Sequence, residues 1–279
     1  MSKGKHSNSQ KERENNNQLN QEKLNNNSKP KNKFSKSIII IIEIILFGIM
    51  IFSGIQIYNW FNENNQSKEI LNIVQEAISI DEEKEDIDIE KYSIDFDELK
   101  ETNPKTVAWL KVNGTDIEYP IVQASDNSYY LTHSFDNNYN SAGWPFADYK
   151  NKFDGTDKNI IVYGHNRKDG SMFGTLKNIY TEEWYNDLNN RKILFYTEDD
   201  ESIYEIFSCY TVQDEDYYIQ TSFKGNFGKF IDTLKNRSER EFDIDVDEND
   251  HILTLSTCGA GNTRVVIHAK KVIENMQEE

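Results

Sequence analysis

Cysteine is scarce in this sequence, which has only two in 279 residues, Cys209 and Cys258. A small domain held together by disulfides usually carries four or more cysteines at regular spacings, so that class of protein is excluded. A single Cys209–Cys258 bridge stays open as an alternative. Each cysteine is otherwise either a small buried apolar side chain or a reactive thiol.

Basic residues are absent from Ser37 to Ser67, and the first part of this stretch, residues 37–58, is almost entirely apolar. Its 22 residues would rise about 33 Å as a helix, enough to cross a hydrocarbon core of roughly 30 Å. The positive-inside rule places the N-terminus in the cytoplasm, because four lysines precede the span: Lys29, Lys31, Lys33 and Lys36. A cleavable signal peptide is the alternative. The length of the span and the lack of an A-x-A-like site favour an uncleaved membrane anchor.

Apolar residues are almost missing from residues 1–36, which we expect to form a disordered cytoplasmic tail. The tail is basic, whereas residues 61–279 carry 22 basic and 44 acidic side chains. An acidic body repels phosphate groups, which argues against nucleic acid as a partner. Residues 59–91 are expected to form a juxtamembrane helix or stalk, because four apolar residues keep helical spacing: Ile70, Ile73, Val74 and Ala77.

The remaining residues, 92–279, show no internal repeat and no regular alternation of strand and helix patterns. Short runs rich in β-branched and aromatic residues predict seven strands: 105–112, 117–123, 159–164, 191–197, 202–212, 251–258 and 264–272. Two helical patches interrupt them, one capped by Thr181 and one with four apolar residues on one face: Phe227, Phe230, Ile231 and Leu234. The fold class is therefore mainly β, a barrel or sandwich with helical insertions.

Cys258 ends the apolar run TLSTC, and the short loop GAGNT joins it to the strand RVVIHAKK. This pattern predicts a β-hairpin in which Cys258 and Arg264 stand nearly opposite each other, with Cβ atoms about 5 Å apart. A guanidinium there would favour the thiolate and could donate hydrogen bonds to a reacting carbonyl. The spacing alone leaves open whether Cys258 is a nucleophile or a small core residue.

A thiol nucleophile that cleaves an amide needs an acid–base partner, and histidine is the usual one. His165 ranks first because it follows the strand NIIVY and lies in the polar loop YGHNRKDGS. His268 lies about 13 Å along its strand from Arg264, and His251 lies on the opposite strand face from Cys258. His133 is surrounded by aromatic residues and is expected to be structural.

TLSTC at Cys258, with Arg264 on the next strand and YGHN at His165 about 90 residues earlier, resembles the sortases, the cysteine transpeptidases of Gram-positive bacteria. The resemblance covers nearly all of residues 92–273. Three segments are similar to class B members: DFDELKETNPKTVAWLKVNGTDIEYPIVQ, YYLTHSF and VYGHNRKDGSMFG. A helix at 226–240, inserted before the last two strands, fits class B as well.

The resemblance implies a closed β-barrel of about eight strands and an extracellular catalytic domain. It implies that Cys258 attacks a threonine carbonyl in the C-terminal sorting signal of a secreted protein and forms a thioester. His165 would protonate the leaving amine and later activate the incoming one, and Arg264 would hold the peptide or the oxyanion. The acceptor would be an amine of a lipid-linked peptidoglycan precursor at the cell membrane. Ser256 and Thr257 match the motif and are candidate substrate-binding residues, and no cofactor is implied.

Two other functions stay open. A hydrolytic cysteine endopeptidase is one, although the papain-type C-G-S-C-W signature is absent and the histidine precedes the cysteine. A membrane-anchored wall-binding module is the other, supported by the calcium-loop-like run DIDVDENDH. Glu248 stands in that run where an EF-hand needs glycine, and Thr254, three residues beyond the run, stands where it needs glutamate. We therefore expect a solvated turn without metal.

The loop GAGNT, which joins Cys258 to the strand of Arg264, is shorter than in many class B members.

Overall fold

The computed structural model describes residues 36–80, 92–213, 215–258 and 263–273, without the side chains of Cys258 and Ile273. The predictions for the N-terminal tail before Lys36, for the acidic stretch 81–91 and for residues 259–262 of the GAGNT loop lie outside these residues. All the structural statements below concern the described part of the chain.

The first helix, α1, runs over Lys36–Glu76, so the predicted span and the predicted juxtamembrane helix are one continuous element. Within the described residues it is the one helix long and apolar enough to cross a membrane. The chain divides into two compact units between Asn59 and Trp60, and α1 begins in the first and ends in the second. In the second unit Ile70, Val74 and Ala77 are buried as their spacing predicted, whereas Ile73 is 48% exposed.

Ten strands and three further α-helices follow α1 in the described residues. The strands are β1 Ile78–Ile80, β2 Tyr92–Ile94, β3 Thr106–Val112, β4 Glu118–Val122, β5 Phe146–Ala147, β6 Asn159–His165, β7 Lys192–Tyr196, β8 Glu201–Gln213, β9 Ile252–Cys258 and β10 Thr263–Ile273. The helices are α2 Phe96–Thr102, α3 Glu182–Asn186 and α4 Phe227–Arg237. Short 3₁₀ turns lie at Tyr129–Leu131, Leu176–Tyr180 and Leu188–Arg191.

Eight strands close a barrel in the order β10-β8-β7-β3-β4-β5-β6-β9, which confirms the predicted mainly β barrel. All seven predicted strands are present. The sequence did not predict β5, because two residues are too few to show a period. A separate two-stranded sheet pairs β1 with β2.

Alternation along the strands separates the barrel interior from its outer face. On β9, Leu253 and Leu255 belong to the main interior core, whereas Ile252 packs outside against α4. The amphipathic pattern predicted for α4 is confirmed, since its four predicted apolar residues are all buried: Phe227, Phe230, Ile231 and Leu234. Thr181 caps α3 as predicted, accepting a hydrogen bond from the backbone N–H of Trp184.

Candidate active site

β6 and β9 end, and β10 begins, at the same edge of the barrel. β6 and β9 are parallel, and their register pairs His165 with Cys258. β9 and β10 are antiparallel, and their ladder pairs Ser256 with Val266. Cys258 lies two residues after Ser256, and Arg264 two residues before Val266, so continuing this register sets Arg264 opposite Cys258. The fold therefore gathers the three predicted catalytic positions at one edge.

The imidazole of His165 is fixed by a backbone carbonyl from a distant loop. Its Nε2 lies 2.8 Å from the carbonyl oxygen of Leu131. A carbonyl oxygen can only accept a hydrogen bond, so Nε2 carries a proton and donates it in this bond. Nδ1 is then the ring nitrogen available for acid–base chemistry. The loop can pass close to the ring because residue 143 is glycine: a Cβ there would lie 2.9 Å from Cδ2 of His165. The same glycine has a φ of +62°, which side chains rarely adopt.

The loop after His165 folds back on the carbonyl oxygen of that residue. This oxygen accepts hydrogen bonds from the backbone N–H groups of Arg167, at 3.1 Å, and Phe173, at 2.9 Å. The Arg167 guanidinium pairs with Asp169 at 2.9 Å. Burial alone would raise the pKa of Asp169, but hydrogen bonds from Arg167 and Ser171 lower that pKa to about 2. The loop therefore keeps an ionised, hydrogen-bonded anchor across the neutral pH range.

Arg264 is held from the outer face of the barrel by a tyrosine. Its Nη1 donates to the hydroxyl of Tyr218 at 3.3 Å, and that hydroxyl lies 2.8 Å from Oγ of Ser256. Tyr218 is fully buried, although it belongs to the polar segment between β8 and α4. The guanidinium position is therefore set by a residue that no strand pattern indicated.

The two candidate substrate-binding residues are both buried and hydrogen-bonded within the chain. Ser256 is engaged by Tyr218, and Oγ1 of Thr257 accepts from the backbone N–H of Val265 at 2.8 Å. Thr257 thereby holds the start of β10 against the end of β9. A substrate-binding role for either hydroxyl stays a prediction, and strand packing accounts for both as they stand.

A buried polar network lies on the outer face beneath this edge. Nδ1 of His268 is 2.9 Å from Oγ1 of Thr254, and Nε2 is 2.8 Å from the hydroxyl of Tyr210. Thr254 donates its hydroxyl proton to Oδ1 of Asn159 at 2.7 Å. Thr254 must then accept from His268, which assigns the proton of the neutral imidazole to Nδ1 and makes Nε2 the acceptor. Burial lowers the pKa of His268 to about 3.

This histidine predicts a pH dependence of stability. Below about pH 6.5 His268 is protonated in the unfolded chain but stays neutral in the folded chain. Lowering the pH therefore lowers the free energy of unfolding. The contribution is at most about 1.4 kcal/mol per pH unit and ends near pH 3, where the folded form binds the proton too. Urea unfolding of wild type and His268→Gln between pH 7 and 4 measures it. The stability difference between the two should shrink toward acid, and a constant difference would contradict the assignment.

The other predicted candidates are each engaged in contacts of their own. His133 stacks on Tyr129 with ring centroids 4.0 Å apart, in keeping with its expected structural role. Nδ1 of His251 is 2.8 Å from the carbonyl oxygen of Asp157. Cys209 is a free, buried thiol in the interior core, and burial raises its pKa to about 12. The alternative of a Cys209–Cys258 disulfide is therefore wrong, because a free thiol within the packed barrel forms no bridge.

The acidic run at 243–251 forms a turn that is occupied by a lysine. The ammonium of Lys158 lies 3.2, 2.8 and 3.3 Å from the carbonyl oxygens of Glu248, Asn249 and Asp250. These oxygens are the kind of ligand that a calcium ion would use. In this chain the ammonium group of Lys158 binds these oxygens in place of a metal ion.

Several contributors to the site were missed by sequence reasoning. The Leu131 carbonyl belongs to the backbone, and a backbone group leaves no residue signature. Gly143 and Tyr218 did carry weak signals, a lone glycine and an aromatic residue within the acidic stretch DEDYYIQ. Their partners in space lie more than 20 residues away along the chain, so local patterns could not assign them.

Comparison with known proteins identifies the relatives of this fold and site. A family model described as "Sortase domain" matches residues 110–272. Sortase B of Listeria monocytogenes is 33% identical over 244 residues, which cover 82% of this chain and 94% of that protein. A Bacillus anthracis protein similar to sortase B has a solved structure with a TM-score of 0.65 and 35% identity, covering 78% of this chain and 98% of that one. The structure of a sortase B in complex with triglycine has a TM-score of 0.60 and 31% identity, and the match covers 63% of this chain and 85% of that one.

Proposed function

Since the chain belongs to the sortase family as a class B member, and is a cysteine transpeptidase of cell-wall anchoring, we propose that Cys258, His165 and Arg264 carry its chemistry. The observation that supports this most is the register of β6 with β9, which pairs His165 with Cys258, together with the register of β9 with β10, which continues to Arg264 opposite Cys258. Of the two described histidines on β6, β9 and β10, His165 pairs with Cys258, whereas His268 pairs with Thr254 further along β9.

The proposed substrate is a secreted protein with a C-terminal sorting signal, cleaved after a threonine. The Cys258 thiolate attacks the threonine carbonyl, and Arg264 stabilises the negative charge that develops on the carbonyl oxygen. The C–N bond breaks as Nδ1–H of His165 protonates the leaving amine. The products of this half-reaction are a thioester on Cys258 and the released C-terminal peptide.

The second half-reaction transfers the acyl group to an amine of a cell-wall precursor. Neutral His165 accepts a proton from the incoming amine at Nδ1, the amine attacks the thioester, and the thiolate of Cys258 leaves. A glycine amine is a suitable acceptor to test first, because a related sortase B was solved with triglycine. The proposed location is the outer face of the cell membrane, with α1 as a single-pass anchor and the N-terminus in the cytoplasm.

The experiment that tests this proposal measures cleavage of a threonine-containing sorting peptide with and without triglycine. We expect the peptide–triglycine product by mass spectrometry, and a thioester adduct on the protein when triglycine is left out. Cleavage at the same rate without any incorporation of triglycine would indicate a hydrolytic endopeptidase instead. Absence of both cleavage and adduct, across a panel of sorting peptides, would contradict the proposed enzyme.

A further inference from the structure

The end of α1 makes polar contacts with two segments that border His165. All three contacts lie within the second compact unit, which begins at Trp60. The carbonyl oxygen of Glu63 accepts from Nδ2 of Asn140 at 3.0 Å, and Oγ of Ser67 lies 3.1 Å from the same nitrogen. Oδ1 of Asn64 accepts from Nη2 of Arg167 at 2.8 Å.

Asn140 organises the loop that holds the imidazole of His165. Oδ1 of Asn140 accepts a hydrogen bond from the backbone N–H of Ala142 at 2.9 Å, and the backbone N–H of Asn140 donates to the carbonyl of Thr132. This loop supplies the Leu131 carbonyl, which binds Nε2 of the ring, and Gly143, which lies against the adjacent Cδ2. Asn140 is completely buried, and α1 accepts from its side-chain nitrogen twice. If α1 moved away, that nitrogen would lose both acceptors, so the loop and the helix are coupled.

Arg167 forms the second connection, on the other side of His165. Its backbone N–H donates to the carbonyl of His165, and its guanidinium bridges Asn64 of α1 and Asp169. The helix thus touches the loop that holds the ring and the loop that holds the backbone of the same residue. Simple packing of α1 is served by other residues, since Ile70 and Val74 join the interior core.

We propose that Asn64 and Ser67 of α1 are positioning residues for His165, acting through Arg167 and Asn140. The proposal rests on the proposed catalytic role of His165. It makes the juxtamembrane end of α1 part of the active-site architecture in addition to being a connection to the apolar span. Proton transfer in each half-reaction then depends on this helix being docked.

The test uses the full chain in detergent, with Asn140→Asp and the double variant Asn64→Leu/Ser67→Ala. Asn140→Asp keeps the acceptor for Ala142 and loses the donor to α1. The double variant changes residues of α1 alone, and it tests the proposal even if Asn140→Asp does not fold. Oγ of Ser67 donates to the carbonyl of Glu63 at 3.1 Å, and Oγ of buried Ser208 donates in the same way to the carbonyl of Leu234 at 2.7 Å, so Ser208→Ala is the matched control.

We expect a 10- to 100-fold fall in kcat, since about 1 Å of misplacement can cost this much, with KM changed less than about threefold. The ¹⁵N shifts of the His165 ring, assigned by their loss in His165→Gln, should move in these variants and stay fixed in Ser208→Ala. If His165→Gln is inactive while the α1 variants match Ser208→Ala in kcat and ring shifts, the inference is overturned. If His165→Gln keeps its activity, the proposed function fails instead.

Discussion

Cys258→Ala is expected to abolish both cleavage of the sorting peptide and formation of the thioester adduct, a loss of at least about 10⁴-fold. The variant keeps every backbone hydrogen bond of β9 and removes only the atom that would form the acyl bond. Binding of the peptide should survive, because the rest of the edge is unchanged. Peptide cleavage followed by chromatography, with intact-protein mass spectrometry for the adduct, measures the two losses separately.

Cys209→Ser is the control for that experiment, because it alters the other thiol of the chain. Cys209 is buried in the barrel interior and its pKa is raised to about 12, so almost none of it is thiolate at neutral pH. We expect full activity and a stability loss of roughly 1 kcal/mol. A methanethiosulfonate reagent should label one thiol of the native protein and none in Cys258→Ala. Product formation by Cys258→Ala, or native labelling of Cys209, would refute the assignment.

His165→Gln is expected to lower kcat of transpeptidation by about 10² to 10⁴-fold. The glutamine amide can still donate to the Leu131 carbonyl, so the loop around it keeps its anchor. What is lost is the group that protonates the leaving amine and deprotonates the incoming one. Both half-reactions should slow, and single-turnover acylation with the sorting peptide would show the first of them directly.

His251→Gln provides the matched control for His165→Gln. His251 also bonds a backbone carbonyl, that of Asp157, but it precedes the first residue of β9 and so lies at the opposite end of that strand from Cys258. We expect kcat within about twofold of wild type for this variant. Equal losses in the two variants would mean that the effect is structural, and the acid–base role of His165 would have to be given up.

The sequence predicted the elements that repeat a local pattern. The strands of the barrel are short runs rich in β-branched and aromatic residues, the exposed and buried faces of α4 follow the helical period, and the cap at Thr181 has its own residue signature. The hairpin of β9 and β10 also follows from neighbouring residues, so the local pattern is enough to set Arg264 opposite Cys258. β5 was not predicted, because a strand of two residues is too short to show a sequence pattern.

The contacts that complete the site join residues far apart in the chain. Leu131 reaches His165 through a carbonyl, and Tyr218 reaches Arg264 from a polar segment between β8 and α4. The predicted stalk offered no sign that Asn64 would meet Arg167, because the pattern there showed only an apolar face. Each of these pairs is fixed by how the barrel closes and by which loop passes over its edge.

By itself, then, the sequence determined an apolar span, an acidic mainly β body and a cysteine–arginine hairpin, because periodicity, charge and turn chemistry act over a few residues. Only the tertiary structure decided that His165 lies beside Cys258. That pairing depends on β6 and β9 being parallel neighbours, and a parallel pair has no local signal since its strands are joined by a long connection. The structure also decided which backbone groups hold the imidazole and that α1 reaches this edge.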